Sequence, residues 1–418
     1  MDTVTTFTSA LKETYSSDLV QNMILKKNPF FAMLAKKSDF VGLDYYRVPI
    51  IVAPGAGVST SFTRANVNSI ASANVVKDFH VTRTKTYSLG VIDGELFDCA
   101  QGKASSFIEA SKLNVENVIN NLARDLGISL YRSGWGTRGR LSSTVSIAGV
   151  NTLTLDTISD SFNFEIGQRL AVAATEGAAS AKPYGSSTNP LIVTKVNNKT
   201  GVLTFGYNVD DATNGVPTIS ASDYLFLDGD VQATMPKVAG LASWLPDTDP
   251  GGSDSFFGVN RSISPTRLGG IRIDATGGGS LVEILNEAAA QVLQVGGSPD
   301  TILMSFGNYT KLMNTLEGKV QIVDNKKEGV TGFRSLELET PAGTCKIVGD
   351  INCDQNHMYV LQLNTWKLCT LRNDIQLLNN DGLELLRLQD YDAYSIRYRF
   401  SGNLACMAPG WNCSVRLA

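Results

Sequence analysis

The residue types that carry most protein chemistry are scarce in this sequence and poorly grouped. Only two histidines, His80 and His357, occur in 418 residues, which leaves little material for a His-based nucleophile relay or a multi-histidine metal centre. The six cysteines form no CxxC pair and stand at positions 99, 345, 353, 369, 406 and 413. Cys345, Cys353 and His357 match no common zinc spacing, and a fourth ligand is missing. We therefore expect buried, reduced thiols and no metal or cofactor.

Two further stretches could act in catalysis, and both signals are weak. Residues 276–283, TGGGSLVE, place glycines before a predicted helix, where backbone N–H groups can hold a phosphate. They lack the GK[ST] ending of a nucleotide loop and the GxGxxG spacing of a dinucleotide fold. Asp93, Glu95 and Asp98 could be acid and base groups, but they stand where the chain enters a helix and favour its positive end. The sequence therefore predicts no catalytic residue.

The composition is that of an ordinary globular chain with nearly balanced charge. Lys and Arg number 36 against 40 Asp and Glu, so no global positive field would attract nucleic acid or an anionic membrane. The length suggests roughly two to four domains. No window approaches 18 continuous apolar residues, and the N-terminus lacks the order of a signal peptide. We expect synthesis in the cytoplasm and no membrane partner.

One long helix is predicted over residues 103–132, and the rest of the fold must be arranged around it. At about 1.5 Å per residue it would be about 40 Å long. Its apolar residues recur at steps of three, four or seven and form one stripe: Ala104, Ile108, Val115, Val118, Ile119, Leu122, Leu126 and Leu130. The polar residues expected to cover the other side are Glu109, Lys112, Asn114, Glu116, Asn120 and Asp125. Such a helix needs a sheet or second layer packed along its stripe.

An N-terminal arm is predicted over residues 1–43. Short helical patterns in it are stopped by Pro29, and Phe30 and Phe31 follow at once. So short an apolar segment either docks on its own subunit or lies across a partner, and we favour the partner.

A long β-hairpin is predicted over residues 44–92. Residues 45–52 and 78–92 read as two strands that pair, and the apolar face of the second strand carries Phe79, Val81, Tyr87 and Leu89. The segment between them has too few large apolar side chains to form a domain. A long two-stranded ribbon is marginal in water, so a neighbouring subunit would have to supply a surface. The alternative is a disordered surface loop of about 25 residues.

After the long helix, which with its flanks covers residues 93–137, short β runs separated by turn residues fill residues 141–232. A hairpin signature with the turn NNKTG lies among them, and this spacing predicts a small closed or sandwiched β domain. Because it starts right after a helix and both its ends are glycine-rich, we expect a domain inserted into a host fold.

The remaining chain divides into three parts. Residues 236–270 carry three aromatic residues and predict an ordered, extended crossover. Residues 271–382 predict one sheet with two helices on it, the first opened by a capping box of Ser280 and Glu283, and with a last strand at 368–371. Residues 383–418 predict returning strands, of which the C-terminal NCSVRL would be an edge strand.

This order of elements resembles the major capsid proteins of tailed bacteriophages, which have the Hong Kong ninety-seven-type fold. The resemblance covers nearly the whole chain, and locally it depends on SPDTILMSFGNYTKLMNTL, KIVGDINCDQNHMYVLQLNTWKL and CMAPGWNCSVRL. It implies an α+β fold with an N-terminal arm, an extended loop at 44–92 and a peripheral domain that contains the long helix. It also implies an axial domain at 271–382, to which this chain adds the β domain.

The function that the resemblance implies is structural. Copies would assemble into pentamers and hexamers of an icosahedral shell enclosing double-stranded DNA, with a separate scaffolding protein, a portal protein and possible decoration proteins on the inserted domain as partners. Because no lysine occurs between Ile51 and Val76, and Lys77 is at the hairpin base, autocatalytic crosslinking is disfavoured. Aromatic and arginine side chains dominate such contacts, so the residues expected between subunits are Phe62, Arg64, Asn66, Phe30 and Phe31. A cargo-storing shell of the same fold, a tail or decoration protein, and an enzyme are the alternatives.

Overall fold

The chain forms both helices and strands, as its mixed hydrophobic periods predict. The computed structural model describes residues 28–38, 40, 44–53, 55, 57–71, 74–93, 104–144, 146–186, 190–315, 335–379, 386–389 and 391–417, with the backbone alone at 93, 104–114, 335 and 372–374. The helices are α1 (Pro29–Met33), α2 (Phe62–Ala71), α3 (Ala104–Tyr131), α4 (Leu241–Trp244), α5 (Pro265–Gly269), α6 (Leu281–Gln294) and α7 (Phe306–Thr315). The strands are β1 (Ala35–Lys37), β2 (Tyr45–Ala53), β3 (Val75–Thr82), β4 (Thr84–Asp93), β5 (Thr137–Arg140), β6 (Thr152–Thr154), β7 (Arg169–Ala173), β8 (Leu191–Asn197), β9 (Val202–Phe205), β10 (Tyr224–Leu227), β11 (Ile271–Ala275), β12 (Thr301–Met304), β13 (Ser335–Thr340), β14 (Gly343–Gly349), β15 (His357–Leu361), β16 (Trp366–Leu377), β17 (Leu386–Arg387), β18 (Ala393–Cys406) and β19 (Cys413–Leu417).

The described residues fall into two compact units. The first contains the described parts of residues 1–32, 84–240 and 372–401, and the second those of 33–83, 241–371 and 402–418.

The centre of the first unit is α3, which confirms the predicted long helix. It has 28 residues, about 42 Å at the usual rise. Every predicted stripe residue from Val115 onward is buried, while Ala104 and Ile108 lie where side chains are not described. The prediction was wrong at Asp125, which is buried rather than exposed, because two cations from later in the chain bind it.

The strand that packs along α3, β4, differs from the strand predicted over residues 78–92. The expected strand 78–92 is two strands, because β3 ends at Thr82 and β4 begins at Thr84. The alternation of side chains changes face at this break. In β4 the buried residues are Thr84, Thr86 and Ile92, and the Ser88 hydroxyl donates to the Val118 carbonyl oxygen of α3 (2.9 Å). Tyr87 and Leu89 therefore point outward instead of sharing a buried face with Phe79 and Val81.

A closed β barrel occupies the stretch predicted as a small β domain. Its strands run in the order β5-β10-β7-β8-β9-β6, and a bridge between Leu141 and Leu155 joins the last strand to the first. Two backbone hydrogen bonds flank that bridge, Ser142 N–H to the Thr154 oxygen and Asp156 N–H to the Arg140 oxygen. The barrel has its own apolar core, formed by Leu141, Leu153, Leu155, Phe164, Leu170, Val172, Leu191, Val193, Leu203, Phe205, Val209, Val216, Ile219 and Leu225.

The first unit is completed by the later strands. The Leu378 N–H donates to the Arg397 oxygen (2.9 Å), and β17 pairs with β18 from Leu386↔Ser395 to Arg387↔Tyr394. β4 also pairs with β18.

The second unit contains a six-stranded mixed sheet in the order β11-β19-β15-β12-β14-β13, with a core to which α6 and α7 contribute. Two expectations for this region were wrong. The C-terminal strand β19 is not an edge strand but lies between β11 and β15, where Cys413, Ser414 and Val415 are buried. Residues 368–371 belong to β16, which pairs in parallel with β1 instead of joining this sheet. Ser280 is the N-cap of α6, but its hydroxyl makes no capping hydrogen bond.

The crossover before this sheet is ordered, as expected. Trp244 is fully buried and its indole N–H donates to the Leu404 oxygen (3.1 Å). Phe79 and Phe256 pack edge-on against it at centroid distances of 5.2 and 5.0 Å. Arg261 stacks over Phe256, its guanidinium carbon 4.3 Å from the ring centroid. This aromatic cluster holds one strand of the hairpin to the rest of the second unit.

Candidate assembly surfaces

The hairpin pairs β2 with β3 as predicted, and its base is firmly held. The antiparallel register runs from Tyr45↔Thr82 to Ala53↔Val75. The His80 N–H donates to the Phe257 oxygen (3.0 Å), Tyr45 stacks on His80 at 4.4 Å, and Arg47 forms an ion pair with Asp78. The fully buried Phe79 side chain anchors the base in the aromatic cluster. The hairpin therefore leaves the second unit from a fixed base.

The tip of the hairpin is an exposed helix that the sequence reasoning did not predict. None of the residues of α2 is buried. The large apolar side chains exposed there and on the adjoining strands are Ile51 (62%), Val58 (84%), Phe62 (88%), Val67 (59%), Ile70 (78%), Val75 (37%) and Val76 (52%). The signal was available, since residues 62–71 contain no glycine or proline, but the Ala, Ser and Asn content obscured it.

Three of the five residues predicted between subunits lie together on this tip. Phe62, Arg64 and Asn66 are all exposed on α2. Phe62, Asn66 and Ile70 follow at steps of four, so they share one face of the helix. That face combines an aromatic, an amide and a branched apolar side chain, with Arg64 beside it.

The other two predicted residues are not at a surface. Phe30 and Phe31 on α1 are fully buried, and the Phe30 ring lies 5.6 Å from that of Tyr131 at the end of α3. The Asn28 side-chain amide donates to the Ala123 oxygen of the same helix (2.8 Å). This segment thus docks on its own subunit, the option we did not favour, because α3 offers it an apolar surface and the Ala123 carbonyl oxygen. The preceding arm, residues 1–27, lies outside the described residues.

A second exposed apolar surface is the outward face of β4. Tyr87, Leu89 and Val91 alternate along the strand and are each more than half exposed. Apolar residues on the solvent side of a strand whose inner face is polar are unusual for a monomer. Sequence alternation could not reveal this, because it does not say which of two faces is covered.

A buried ionic cluster joins α3 to the two segments through which the chain enters and leaves the β barrel. Asp125 of α3 binds Arg138 of β5, and Lys237 Nζ lies 3.2 Å from an oxygen of Asp125 and 3.2 Å from Asp230 Oδ2. Burial raises the pKa of Asp125, but Arg138 and Lys237 outweigh it and lower that pKa overall. Burial dominates at Asp230 and raises its pKa. The groups neutralise one another, so the cluster has a structural role.

The candidate chemical groups that lie among the described residues are not assembled into a site. Gly277 to Gly279 form an exposed turn, and Glu95 and Asp98 lie outside the described residues. The five described cysteines are buried, and burial raises the pKa of the Cys406 thiol to about 12. Among the described residues, no group of three or more His, Cys, Asp or Glu side chains could hold a metal, and no helix has the length and apolar content to span a membrane.

Comparison with known proteins gives a family. Residues 218–379 match the family model of the SU10 major capsid protein. No curated protein matches the chain. Similar solved structures include the capsid asymmetric unit of cyanophage A-1(L), with 12% identity, a TM-score of 0.49 and coverage of 94% of this chain and 93% of that chain. A Mycobacterium phage Ogopogo structure has 11% identity, a TM-score of 0.42 and coverage of 94% and 92%. A virus-like particle from Pyrococcus furiosus has 10% identity, a TM-score of 0.36 and coverage of 95% and 96%.

These structures share at most 12% sequence identity with the chain and have TM-scores below 0.5, so the assignment depends on the family match. The described elements follow the order expected from the sequence: a hairpin, a long helix, an α/β lobe and returning strands. The fold class is α+β, as predicted. The match over residues 218–379 therefore supports a tailed-phage major capsid protein with a structural role in the virion.

Proposed function

We propose that this chain assembles into pentamers and hexamers of an icosahedral shell that encloses double-stranded DNA. The observation that carries the proposal is the hairpin tip, a helix of ten residues with none of them buried. An isolated helix of that length is marginal in water and gains its stability from packing. A copy of the same chain is the partner that a closed shell supplies to every tip.

The energetics favour burial of the tip between copies. Full burial of an exposed Val, Ile or Phe side chain contributes about 1.5–3 kcal/mol. Phe62, Val67 and Ile70 would together contribute about 5–9 kcal/mol before the unfavourable entropy of association is subtracted. Each contact alone is weak, but every subunit makes several, and their avidity stabilises the closed shell.

The receiving surface in this proposal is the outward face of β4 on a neighbouring copy. Tyr87, Leu89 and Val91 offer an apolar strip with an aromatic ring at one end. Phe62 would pack on this strip, and Arg64 and Asn66 would make polar contacts at its rim. Tip and strip are both exposed in the subunit, and pairing them would remove both from water.

The shell is further proposed to form without autocatalytic crosslinking. In the register of the hairpin, Lys77 lies opposite Ile50 on the strands and not at the tip. A separate scaffolding protein, a portal protein and nonspecific contact with packaged DNA are part of the same proposal. So is a decoration protein on the β barrel, which we take to be an inserted domain.

Electron microscopy of the purified chain tests the proposal. Replacing both Phe62 and Ile70 with Ser should leave a folded, soluble subunit that no longer forms closed shells. The matched control is Ile263→Ser, which removes an apolar side chain that is 54% exposed and lies outside the tip, and this variant should still form shells. Intact particles from the double variant would refute the role of the tip. Denaturing gel electrophoresis of wild-type shells should show monomers, and covalent ladders would refute the absence of crosslinking.

A further inference from the structure

One edge of the sheet in the second unit is open as far as the described residues show. β11 pairs with β19 in parallel register from Ile271↔Cys413 to Ala275↔Leu417, and none of the described strands pairs with its other side. The Ile271 N–H donates to the Asn412 oxygen on the β19 side (2.9 Å). Because a parallel ladder alternates, the N–H groups of Arg272 and Asp274 face away from β19. An extended peptide could bond to them as an added strand.

A groove of about 750 Å³ follows this open edge. It is lined by Glu287, Gln291 and Gln294 of α6, and also by Asp247 and Asp249 of the segment before β11. A strand placed beside β11 would therefore lie between side chains of α6 and side chains of the segment before β11. The groove lies wholly within the second unit.

The floor of the groove contains an unsatisfied polar group. Ser414 of β19 lines the groove, is only 2% exposed, and its hydroxyl has no hydrogen-bond partner. Buried hydroxyls in folded proteins are nearly always paired. An occupant with a polar side chain could supply the partner.

The exposed charge along the groove is negative. Asp249 (77% exposed), Asp274 and Glu287 are exposed carboxylates, against one exposed guanidinium, that of Arg416. Arg272 is largely buried, 2.6 Å from Asp249. The groove therefore favours a positively charged occupant.

We infer that this groove binds an extended, basic segment of a different protein, which adds a strand to the open edge of β11. A second copy fits less well. Among the described residues its exposed basic edge strand is β1, which has three residues including Lys36 and Lys37, whereas β11 offers five. The inference does not depend on shell assembly, so it can fail or hold independently of the proposed function.

Fluorescence anisotropy with the purified, unassembled chain tests the inference. The probe is a labelled nine-residue peptide in which lysine and threonine alternate. We expect it to bind, and we expect two control peptides not to bind: the same peptide with glutamate for lysine, and the basic peptide with alternate backbone amides N-methylated. Equal binding of either control would overturn the inference, as would no binding of the basic peptide.

Variants locate the binding on the chain. Asp274→Pro removes an N–H that faces the open edge and no bond to β19, together with a groove carboxylate that accepts from Thr276, so it should weaken binding about tenfold or more while the fold is retained. Asp249→Asn and Glu287→Gln should each weaken binding about twofold to fivefold at low salt. Glu337→Gln, an exposed carboxylate on the far edge strand β13, should change nothing. Unchanged binding by Asp274→Pro would overturn strand addition. A second copy would be the occupant if two results were obtained together: replacing Lys36 and Lys37 with Ala abolishes association between copies, and the probe peptide competes with that association. This outcome would overturn the choice of partner.

Discussion

Asp125→Asn should loosen the base of the β barrel. The substitution keeps the size of the side chain but removes the charge that binds Arg138 and Lys237 inside the protein. Removing one partner of a buried ion pair typically costs about 3–5 kcal/mol, because the other charge is left uncompensated. Lys237 keeps the carboxylate of Asp230 at 3.2 Å, so the main loss falls on Arg138. We therefore expect about 3 kcal/mol, the lower end of that range.

Differential scanning calorimetry and hydrogen exchange measure the effect. For a unit of this size, about 3 kcal/mol corresponds to a Tm lower by about 6–12 °C. Amides at residues 134–140 and 230–237, where the chain enters and leaves the barrel, should lose protection first. The matched control is Asp156→Asn, an exposed carboxylate in the same unit, which should shift Tm by less than about 1 °C.

A second variant separates charge from packing. Adding Arg138→Met to Asp125→Asn removes the uncompensated cation and should recover more than half of the lost stability. If Asp125→Asn melts within about 1 °C of the wild type, or the double variant is no more stable than the single one, the cluster does not hold the barrel as argued.

Two further predictions concern pH and the arm. Burial lowers the pKa of His357, but its hydrogen bonds to Asp247 and Asp354 outweigh burial and raise the pKa to about 9. This stabilisation is fully present below the unfolded pKa of about 6.5 and is lost as pH rises through about 9, so the Tm of the second unit should fall over that pH window. His357→Gln should make the fall in Tm shallower. An equally steep fall in that variant would refute the role of His357. Phe30→Ala should destabilise the isolated subunit by about 3–5 kcal/mol in denaturant unfolding, whereas an effect confined to assembly would contradict the docking of this segment on its own subunit.

Local periodicity carried the sequence predictions that succeeded. Residues 103–132 show a helical stripe over many turns, and α3 occupies 104–131. The pairing of β2 with β3 and the barrel strands followed from alternation and turn residues, which act over a few positions. These features depend on neighbours in sequence, so one chain is enough to predict them.

The failures depend on partners distant in sequence. Asp125 looks like a surface residue of α3, and only Arg138 and the more distant Lys237 make it a buried one. β19 has a short apolar pattern that suits an edge strand equally well, and its place between β11 and β15 is set by residues more than fifty positions away. Periodicity indicates which residues are buried, but it does not indicate which segments of the chain pack over them.

The same limit explains the division among the predicted contact residues. Phe30 stands in a short apolar run and Phe62 is flanked by Ser, Thr and Arg, but both segments have few neighbours able to bury an aromatic ring, so the sequence treats them alike. Tyr131 and the carbonyl of Ala123 on α3 give the first run a surface on its own subunit, whereas α2 has no buried residue at all. A side chain that is buried in the subunit and one that would be buried only between subunits are selected by the same hydrophobic effect. The distinction between them is therefore made by tertiary structure, and the exposed tip of the hairpin and the outward face of β4 could be found only after the subunit's own core had been accounted for.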